Sequence, residues 1–248
     1  TSHPILKLWT EKEAGELITC FEADGGREEA KTVVSYIRDN RKKQIEYTDM
    51  AILYRTNAQS REFEEALINA GIPYRLIGGT KFYERTEVKD IIAYLRYVLN
   101  QNDSVSKTRA EKLGKRRLAT LTKWNEKQNP EELTAQPAAE LLKTILEVTD
   151  YQSKYAKETE ENMQRLGNIQ ELLNVATQFE TPHQFLENVA LIQNDYLMDA
   201  IAKEENSVNL MSLHAAKGLE FSVVCMAGME DGLLPHSRSL FDAEQMEE

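Results

Sequence analysis

Apolar residues follow two different spacings over the first hundred residues of the chain. They recur at helical spacing in KTVVSYIRDN, residues 31–40, whereas DMAILYRT, residues 49–56, is a compact apolar run that predicts a β-strand. Residues 60–71, SREFEEALINAG, predict an amphipathic helix with Ser60 as its N-cap and Gly71 at its C-terminal end. Helix and strand signals therefore alternate from the start.

The alternation continues to residue 100. IPYRLIGG, residues 72–79, predicts a strand that a glycine pair ends, and EVKDIIAYLRYVLN, residues 87–100, predicts a helix. One face of that helix carries Val88, Ile91, Ile92, Leu95, Val98 and Leu99. Strands and helices at this spacing favour βαβ units on a parallel sheet.

The pattern changes after Asn102. Residues 103–205 are rich in Leu, Lys, Glu and Gln and contain no convincing strand, and β signals return twice from Val208 onward. We therefore predict an α/β domain with a parallel sheet, formed by residues 1–102 and 206–248, which an all-α domain of residues 103–205 interrupts. The start at Thr1 and the acidic end DAEQMEE lead us to expect a fragment of a longer protein.

Composition describes an ordinary soluble chain. It has 248 residues, of which 41% are hydrophobic and 29% charged, and no apolar run is long enough to span a bilayer. Without a signal sequence, we expect a cytoplasmic protein with no membrane partner. Cys20 and Cys225 stand in apolar surroundings, so buried, reduced thiols are expected. The histidines are scattered, and no metal site is predicted.

The formal net charge of −11 argues against a chain that coats nucleic acid by bulk attraction. A local site responds only to charges within about one Debye length, roughly 8–10 Å. A nucleic-acid site must therefore be argued from individual residues.

The strongest functional signal is VNLMSLHAAKGLEFSVVCMAGME, residues 208–230. Its first strand should bring His214 to the carboxyl edge of the sheet, where ligands bind in open α/β folds. Lys217 can serve an anion, Gly218 permits a positive φ or close backbone approach, and Glu220 can accept hydrogen bonds from a ribose. The alternative is a solvated turn with incidental charges.

Three ordered stretches resemble one family. LMSLHAAKGLEF, the run from Ala51 to Asn100 and GMEDGLLPHSRS, residues 228–239, are similar to the UvrD/PcrA/Rep family of superfamily 1 DNA helicases. The resemblance implies a RecA-like motor domain of the P-loop NTPase type, the second of two in such proteins, interrupted by a helical domain. It also implies a 3′ to 5′ helicase of DNA repair or replication.

The resemblance implies roles for individual residues. Arg55, Asn57, His214 and His236 match contacts to single-stranded DNA. Glu220 matches a residue near the ribose of ATP, and Lys217 and Gly218 lie in the segment that couples the nucleotide to the DNA. Arg55 could instead pair with a helix carboxylate, and His236, after Pro235, could be a turn-packing residue.

The catalytic residues are expected outside this chain. No G-x-x-x-x-G-K-[ST] phosphate loop is present, so ATP and Mg²⁺ would be held mainly by the N-terminal RecA-like domain of the same protein. The pair Glu230 and Asp231 is more typical of a turn before Gly232 than of a Mg²⁺ site. We therefore expect this chain alone to be inactive, and the whole protein to act on single-stranded DNA, on single/double-strand junctions and with repair proteins.

The basic run of residues 107–124, KTRAEKLGKRRLATLTKW, has two interpretations. It forms a solvated helical face, or it contacts duplex phosphates as the inserted domain of the family can. The insertion looks shortened relative to the family, which weakens the second interpretation.

Two other functions stay open at this point. The chain could be the helicase part of a RecB- or AddA-type helicase–nuclease. It could also be a non-catalytic, helicase-like module that binds partner proteins through its helical domain, in which case even the full-length protein would not bind DNA.

Overall fold

The structure, a computed structural model, describes residue 11 and residues 15–201 and 206–234. Its helices and strands follow one another as α1 Gly26–Lys42, β1 Met50–Tyr54, α2 Ser60–Asn69, β2 Tyr74–Ile77, α3 Thr86–Leu99, α4 Ser104–Lys112, α5 Lys115–Asn125, α6 Pro130–Ala135, α7 Ala138–Thr149, α8 Glu160–Ala176, α9 Pro182–Ile201, β3 Val208–Ser212 and β4 Val223–Met226. The four strands form one sheet in the order β2-β3-β1-β4, and every pair is parallel. The predicted α/β fold with a parallel sheet is confirmed.

The first face of the sheet is covered by α1 and α2. Alternate strand residues, Met50, Ile52 and Tyr54 of β1 among them, pack there against Val33, Val34 and Ile37 of α1 and against Phe63 and Leu67 of α2. This alternation follows from the two-residue repeat of a strand, which points successive side chains to opposite faces. The amphipathic pattern of both helices is thus used to build one core.

The second face of the sheet is covered less completely. Ala51, Leu53 and Met211 form a small cluster against the segment that follows β3. On β4, Val224 and Met226 lie on this face and keep 46% and 49% of their surface exposed. The sheet is therefore closed by helices on one side and by a short turn on part of the other.

A separate, larger core lies in the helical part of the chain. It runs from Phe82 to Tyr196 and includes most of the buried apolar residues of α3 and all of those of α7 and α8. Between residues 103 and 201 the structure has the helices α4–α9 and no strand. α3 lies against α4, α5, α6, α7 and α8, so its apolar residues pack with the helical core.

Two local expectations are wrong. Ser60 is not a helix cap, because a 3₁₀ turn, Asn57–Gln59, precedes α2, and Ser60 instead donates to the Glu64 carboxylate at 2.6 Å. Cys20 is exposed and lies before α1 in a segment that is neither helix nor strand. Cys225 is half-buried, and burial raises the pKa of its thiol to about 11. Both thiols are free.

Gly71, Gly78 and Gly218 have φ values of +65°, +75° and +83°. They end α2, end β2 and lie in the turn after β3, respectively, where the sequence predicts backbone that favours glycine. Among the described residues, no helix is long and apolar enough to cross a membrane.

Candidate functional site

Arg55 and His214 meet at the carboxyl edge of the sheet. They follow the neighbouring central strands β1 and β3, whose register pairs Tyr54 with Ser212. The Leu213 amide extends this ladder by donating to the Tyr54 carbonyl at 2.8 Å. Parallel pairing therefore brings together two side chains that are 159 positions apart in sequence.

The Arg55 guanidinium contacts the His214 ring. Its NH1 atom lies 2.9 Å from Nδ1 and 3.0 Å from Nε2, so it can donate to whichever ring nitrogen carries no proton. Arg55 has no carboxylate within ion-pair distance in the described part of the chain, so the helix-carboxylate alternative finds no partner there. The site thus presents a positive charge and an exposed imidazole on one edge.

Asn57 lies beside this pair at the start of the 3₁₀ turn that follows β1. It is half-buried, and its Nδ2 donates to Gln164 Oε1 on α8 at 3.1 Å. Three of the four residues predicted as DNA contacts thus follow the adjacent strands β1 and β3 at one edge of the sheet. The fourth, His236, lies outside the described residues.

The loop that carries Arg55 and Asn57 is shaped by Gln59. The Gln59 Oε1 atom accepts from the Arg55 amide at 3.1 Å and from the Thr56 amide at 2.8 Å, which completes a capping box with Thr56. Sequence reasoning missed this residue, although the spacing T-x-x-Q in residues 56–59 is its signature.

Gly228 completes the support for the same loop. It has φ +66°, and a Cβ built there would collide with Gln59 Nε2. Its amide donates to Glu29 Oε1 at 2.7 Å. The glycine that follows β4 therefore lets the Gln59 side chain lie where the capping box needs it.

The turn after β3 separates apolar from polar side chains. Leu213, Ala215, Ala216 and Phe221 are partly buried on the second face of the sheet. Between them the charged residues Lys217 and Glu220 are exposed, and neither side chain has a hydrogen bond or ion pair with another described residue. The turn is therefore anchored by its apolar residues and leaves its polar groups available.

The acidic pair after β4 behaves as a turn. The Glu230 carbonyl accepts from the amides of Leu233 and Leu234, and Gly232 has φ +94°. Both carboxylates are exposed. No cluster of three or more His, Cys, Asp or Glu residues suited to a metal ion occurs in the part of the chain that the structure describes.

Two arginines of the basic run are used structurally. Arg109 donates to the buried Asp90 at 2.7 Å, and Arg117 donates to the carbonyls of Thr149 and Asp150 at the end of α7. The lysines at 107, 112, 115 and 123 are exposed. The run is thus partly a packing element and partly a solvated face.

Comparison with known proteins agrees with the resemblance in the motifs. The family model described as the UvrD-like helicase C-terminal domain matches residues 2–133 and 116–248.

Similar curated proteins include the ATP-dependent DNA helicase PcrA of Bacillus subtilis, which is 37% identical over 97% of this chain and 39% of its own length. The ATP-dependent DNA helicase UvrD1 of Mycobacterium bovis is 34% identical over 98% of this chain and 39% of its own length. A probable DNA helicase II homolog of Rickettsia felis is 32% identical over 94% of this chain and 42% of its own length. The chain therefore spans about two fifths of the length of these relatives.

Proposed function

Because this chain belongs to the UvrD-like helicase C-terminal domain family, we propose that it is part of an ATP-dependent 3′ to 5′ DNA helicase of DNA repair or replication. In this proposal, residues 1–102 and 206–248 form the second RecA-like motor domain, and residues 103–205 form its helical insertion. The edge with Arg55, Asn57 and His214 is part of the track for single-stranded DNA. The observation that carries this proposal is the meeting of Arg55 and His214, with no carboxylate of the described residues within ion-pair distance of the arginine.

The chemistry of this edge suits a single strand. An unpaired guanidinium binds a phosphate through charge-assisted hydrogen bonds. An exposed imidazole offers a flat face, and stacking of one base on an aromatic ring contributes roughly 1–3 kcal/mol. The net charge of −11 does not oppose this, because screening limits the site to nearby charges.

ATP and Mg²⁺ enter the proposal through the turn after β3. Lys217 and Glu220 are exposed there, and Gly218 has open space around its α-carbon, so the turn fits one wall of a nucleotide cleft. No phosphate loop is present in the chain, so the remaining ligands would come from the N-terminal RecA-like domain of the same protein. Bound ATP would supply the free energy for movement. Lys217, Gly218 and Glu220 would contact the ATP and couple its binding to the strand track.

The test is single-strand binding by the full-length protein, measured as the fluorescence anisotropy of a labelled oligo(dT) across a salt series. Arg55→Ala should weaken binding about 10- to 100-fold, as expected for loss of a charge-assisted hydrogen bond. It should also lower the slope of log affinity against log salt by about 0.7. His214→Ala should weaken binding and DNA-stimulated ATPase activity and leave that slope unchanged.

The matched control is His183→Ala, since His183 is an exposed histidine on α9. It should bind DNA as the wild type does. Wild-type affinity of both Arg55→Ala and His214→Ala across the salt series would overturn the proposal. The absence of any DNA binding by the full-length protein would instead favour a protein-interaction module.

A separate variant tests the proposed contact between Glu220 and ATP. Glu220→Ala should raise the ATP concentration for half-maximal activity, because a hydrogen-bond acceptor near the ribose is lost, and should leave DNA affinity without nucleotide unchanged. An unchanged ATP requirement would remove Glu220 from the nucleotide wall.

A further inference from the structure

The contact between Asn57 and Gln164 joins the proposed strand track to the helical part of the chain. Asn57 Nδ2 donates to Gln164 Oε1 at 3.1 Å across 107 positions of sequence. Both residues are half-buried. Gln164 makes no other side-chain hydrogen bond with the described residues, so its carbonyl is committed to Asn57.

Other bonds hold α8 in place. Glu171 Oε1 accepts from Arg61 Nε of α2 at 2.5 Å, and Asn168 Oδ1 accepts from Arg85 NH1 at 2.7 Å. Asn168 Nδ2 also donates to Glu87 Oε1 of α3 at 2.5 Å.

The residues Gln164, Asn168 and Glu171 lie on one face of α8, since they are spaced four and three positions apart. The backbone that carries Gln164 is therefore fixed by Asn168 and Glu171, whether or not the Gln164 amide is present.

A side chain that binds DNA benefits from being held in its binding conformation beforehand. An asparagine at a loop start can adopt several rotamers, and ordering it on binding reduces affinity. The hydrogen bond to Gln164 restricts these rotamers and uses one of the two Nδ2 hydrogens. The bond thus fixes the direction of the Asn57 amide, whose carbonyl and second N–H remain for a ligand.

We propose that Gln164 is a positioning residue for Asn57, so that the affinity of the sheet edge for single-stranded DNA depends on a side chain of the helical insertion. This inference rests on the proposed function. It gives α8 a role in the strand track, although α8 lies outside the motifs at residues 51–100 and 208–239.

The first test replaces the amide and keeps the shape. Gln164→Met in the full-length protein should raise the oligo(dT) concentration for half-maximal ATPase stimulation about 2- to 10-fold, which is the range for immobilising one side chain. The maximal rate at saturating DNA should change less than this concentration does. A purely structural role would instead lower the melting temperature and leave the half-saturating concentration unchanged.

Gln170→Met is the matched control. Gln170 is exposed on the same helix, and among the residues that the structure describes its side chain bonds only to Asn174, at 3.0 Å. Its replacement tests a glutamine-to-methionine change on α8 away from the track, and we expect wild-type half-saturation and a wild-type melting temperature.

A double-mutant cycle with Asn57→Ala gives the sharper result. If Gln164 acts through Asn57, the double variant binds oligo(dT) no more weakly than Asn57→Ala alone. Wild-type affinity of Gln164→Met, or effects that multiply in the double variant, would overturn the inference. Failure of the proposed function is distinguishable, because Arg55→Ala and His214→Ala would then also bind DNA as the wild type does.

Discussion

The hydroxyl groups of two tyrosines on α3 differ in their environment. Tyr94 is fully buried, and its hydroxyl has no hydrogen-bond partner among the described residues. Burial raises the pKa of Tyr94 to about 12. The Tyr97 hydroxyl lies 2.9 Å from Thr122 Oγ1, which itself donates to the Leu118 carbonyl, so Tyr97 is the donor. The same helix therefore holds one unsatisfied and one satisfied phenol.

Tyr94→Phe should leave the free energy of unfolding unchanged or raise it by up to about 1 kcal/mol, because it removes a buried polar atom without a partner. Tyr97→Phe should lower it by about 0.5–1.5 kcal/mol, because it leaves Thr122 without its donor. Urea denaturation of both variants checks this, and the comparison is internal, since each loses one oxygen from α3. A loss above 1 kcal/mol in Tyr94→Phe would mean that its hydroxyl has a water partner.

At the scale of elements, the N-terminus of α4 depends on one carboxylate. Asp103 accepts from the amides of Val105 and Ser106, and Ser106 Oγ donates to it at 2.6 Å. These hydrogen bonds, chiefly those from Ser106, hold the pKa of Asp103 below its usual value of 3.8. α4 packs on α3, so fraying of its first turn reaches the helical core.

Asp103→Ala should destabilise the protein by about 1 kcal/mol at neutral pH, as loss of a cap does, and Asp103→Asn should cost less. Since the pKa of Asp103 is lower in the folded state, its stabilisation is present above the ordinary pKa of Asp and is lost as the pH falls through the lowered value. The difference in the free energy of unfolding between the wild type and Asp103→Ala, measured by chemical denaturation, should therefore become smaller below pH 3.8. Glu111→Ala, at an exposed position on α4, is the control, and its free energy of unfolding should not differ from that of the wild type in this way.

The elements themselves were largely predictable from periodicity. The strands at residues 50–54 and 208–212 and the helices α1, α2 and α3 fall where the apolar spacing predicts them. The start of α2 was not predictable, because Ser60 and Thr56 are both plausible caps in the sequence. Only the structure shows that a 3₁₀ turn precedes this helix. Ten residues of α3 are buried, which is more than the single apolar face that was predicted. The helices that follow α3 in sequence surround it.

The candidate site was predictable only where its residues lie within motifs that resemble the family. Arg55 and His214 followed from the resemblance, and parallel pairing of β1 with β3 explains their contact. Gln164 carries no local signal, because a glutamine at an exposed-looking helical position is ordinary and its partner lies 107 positions away. Contacts of this kind depend on how α8 packs, which periodicity does not determine.

At the scale of the whole molecule, buried polar groups join the sheet core to the helical core. Glu64 on α2 is fully buried and accepts from the Phe82 amide at 3.1 Å and from the Tyr196 hydroxyl of α9 at 2.8 Å. Ser60 donates to it as well, and Arg85 lies 3.8 Å away. One carboxylate thus contacts elements of both cores.

Glu64→Ala should lower the free energy of unfolding by about 3–5 kcal/mol, because it removes the buried carboxylate 3.8 Å from Arg85 and leaves the Phe82 amide and the Tyr196 hydroxyl without this acceptor. Since these bonds cross between the two cores, the variant should also unfold in two separate calorimetric transitions where the wild type unfolds in one. Glu64→Gln keeps one acceptor oxygen, so its free energy of unfolding should lie between those of the wild type and Glu64→Ala.

The matched control is Glu140→Ala, which removes a carboxylate from an ion pair with Lys143 on the surface of α7. Both partners are more than half exposed there, so the loss should be at most about 1 kcal/mol. A Glu64→Ala variant that unfolds in one transition with a comparably small loss would show that apolar packing alone joins the cores. The bonds of α8 to Arg61 and Arg85 would then have to hold Gln164 against Asn57 without help from Glu64.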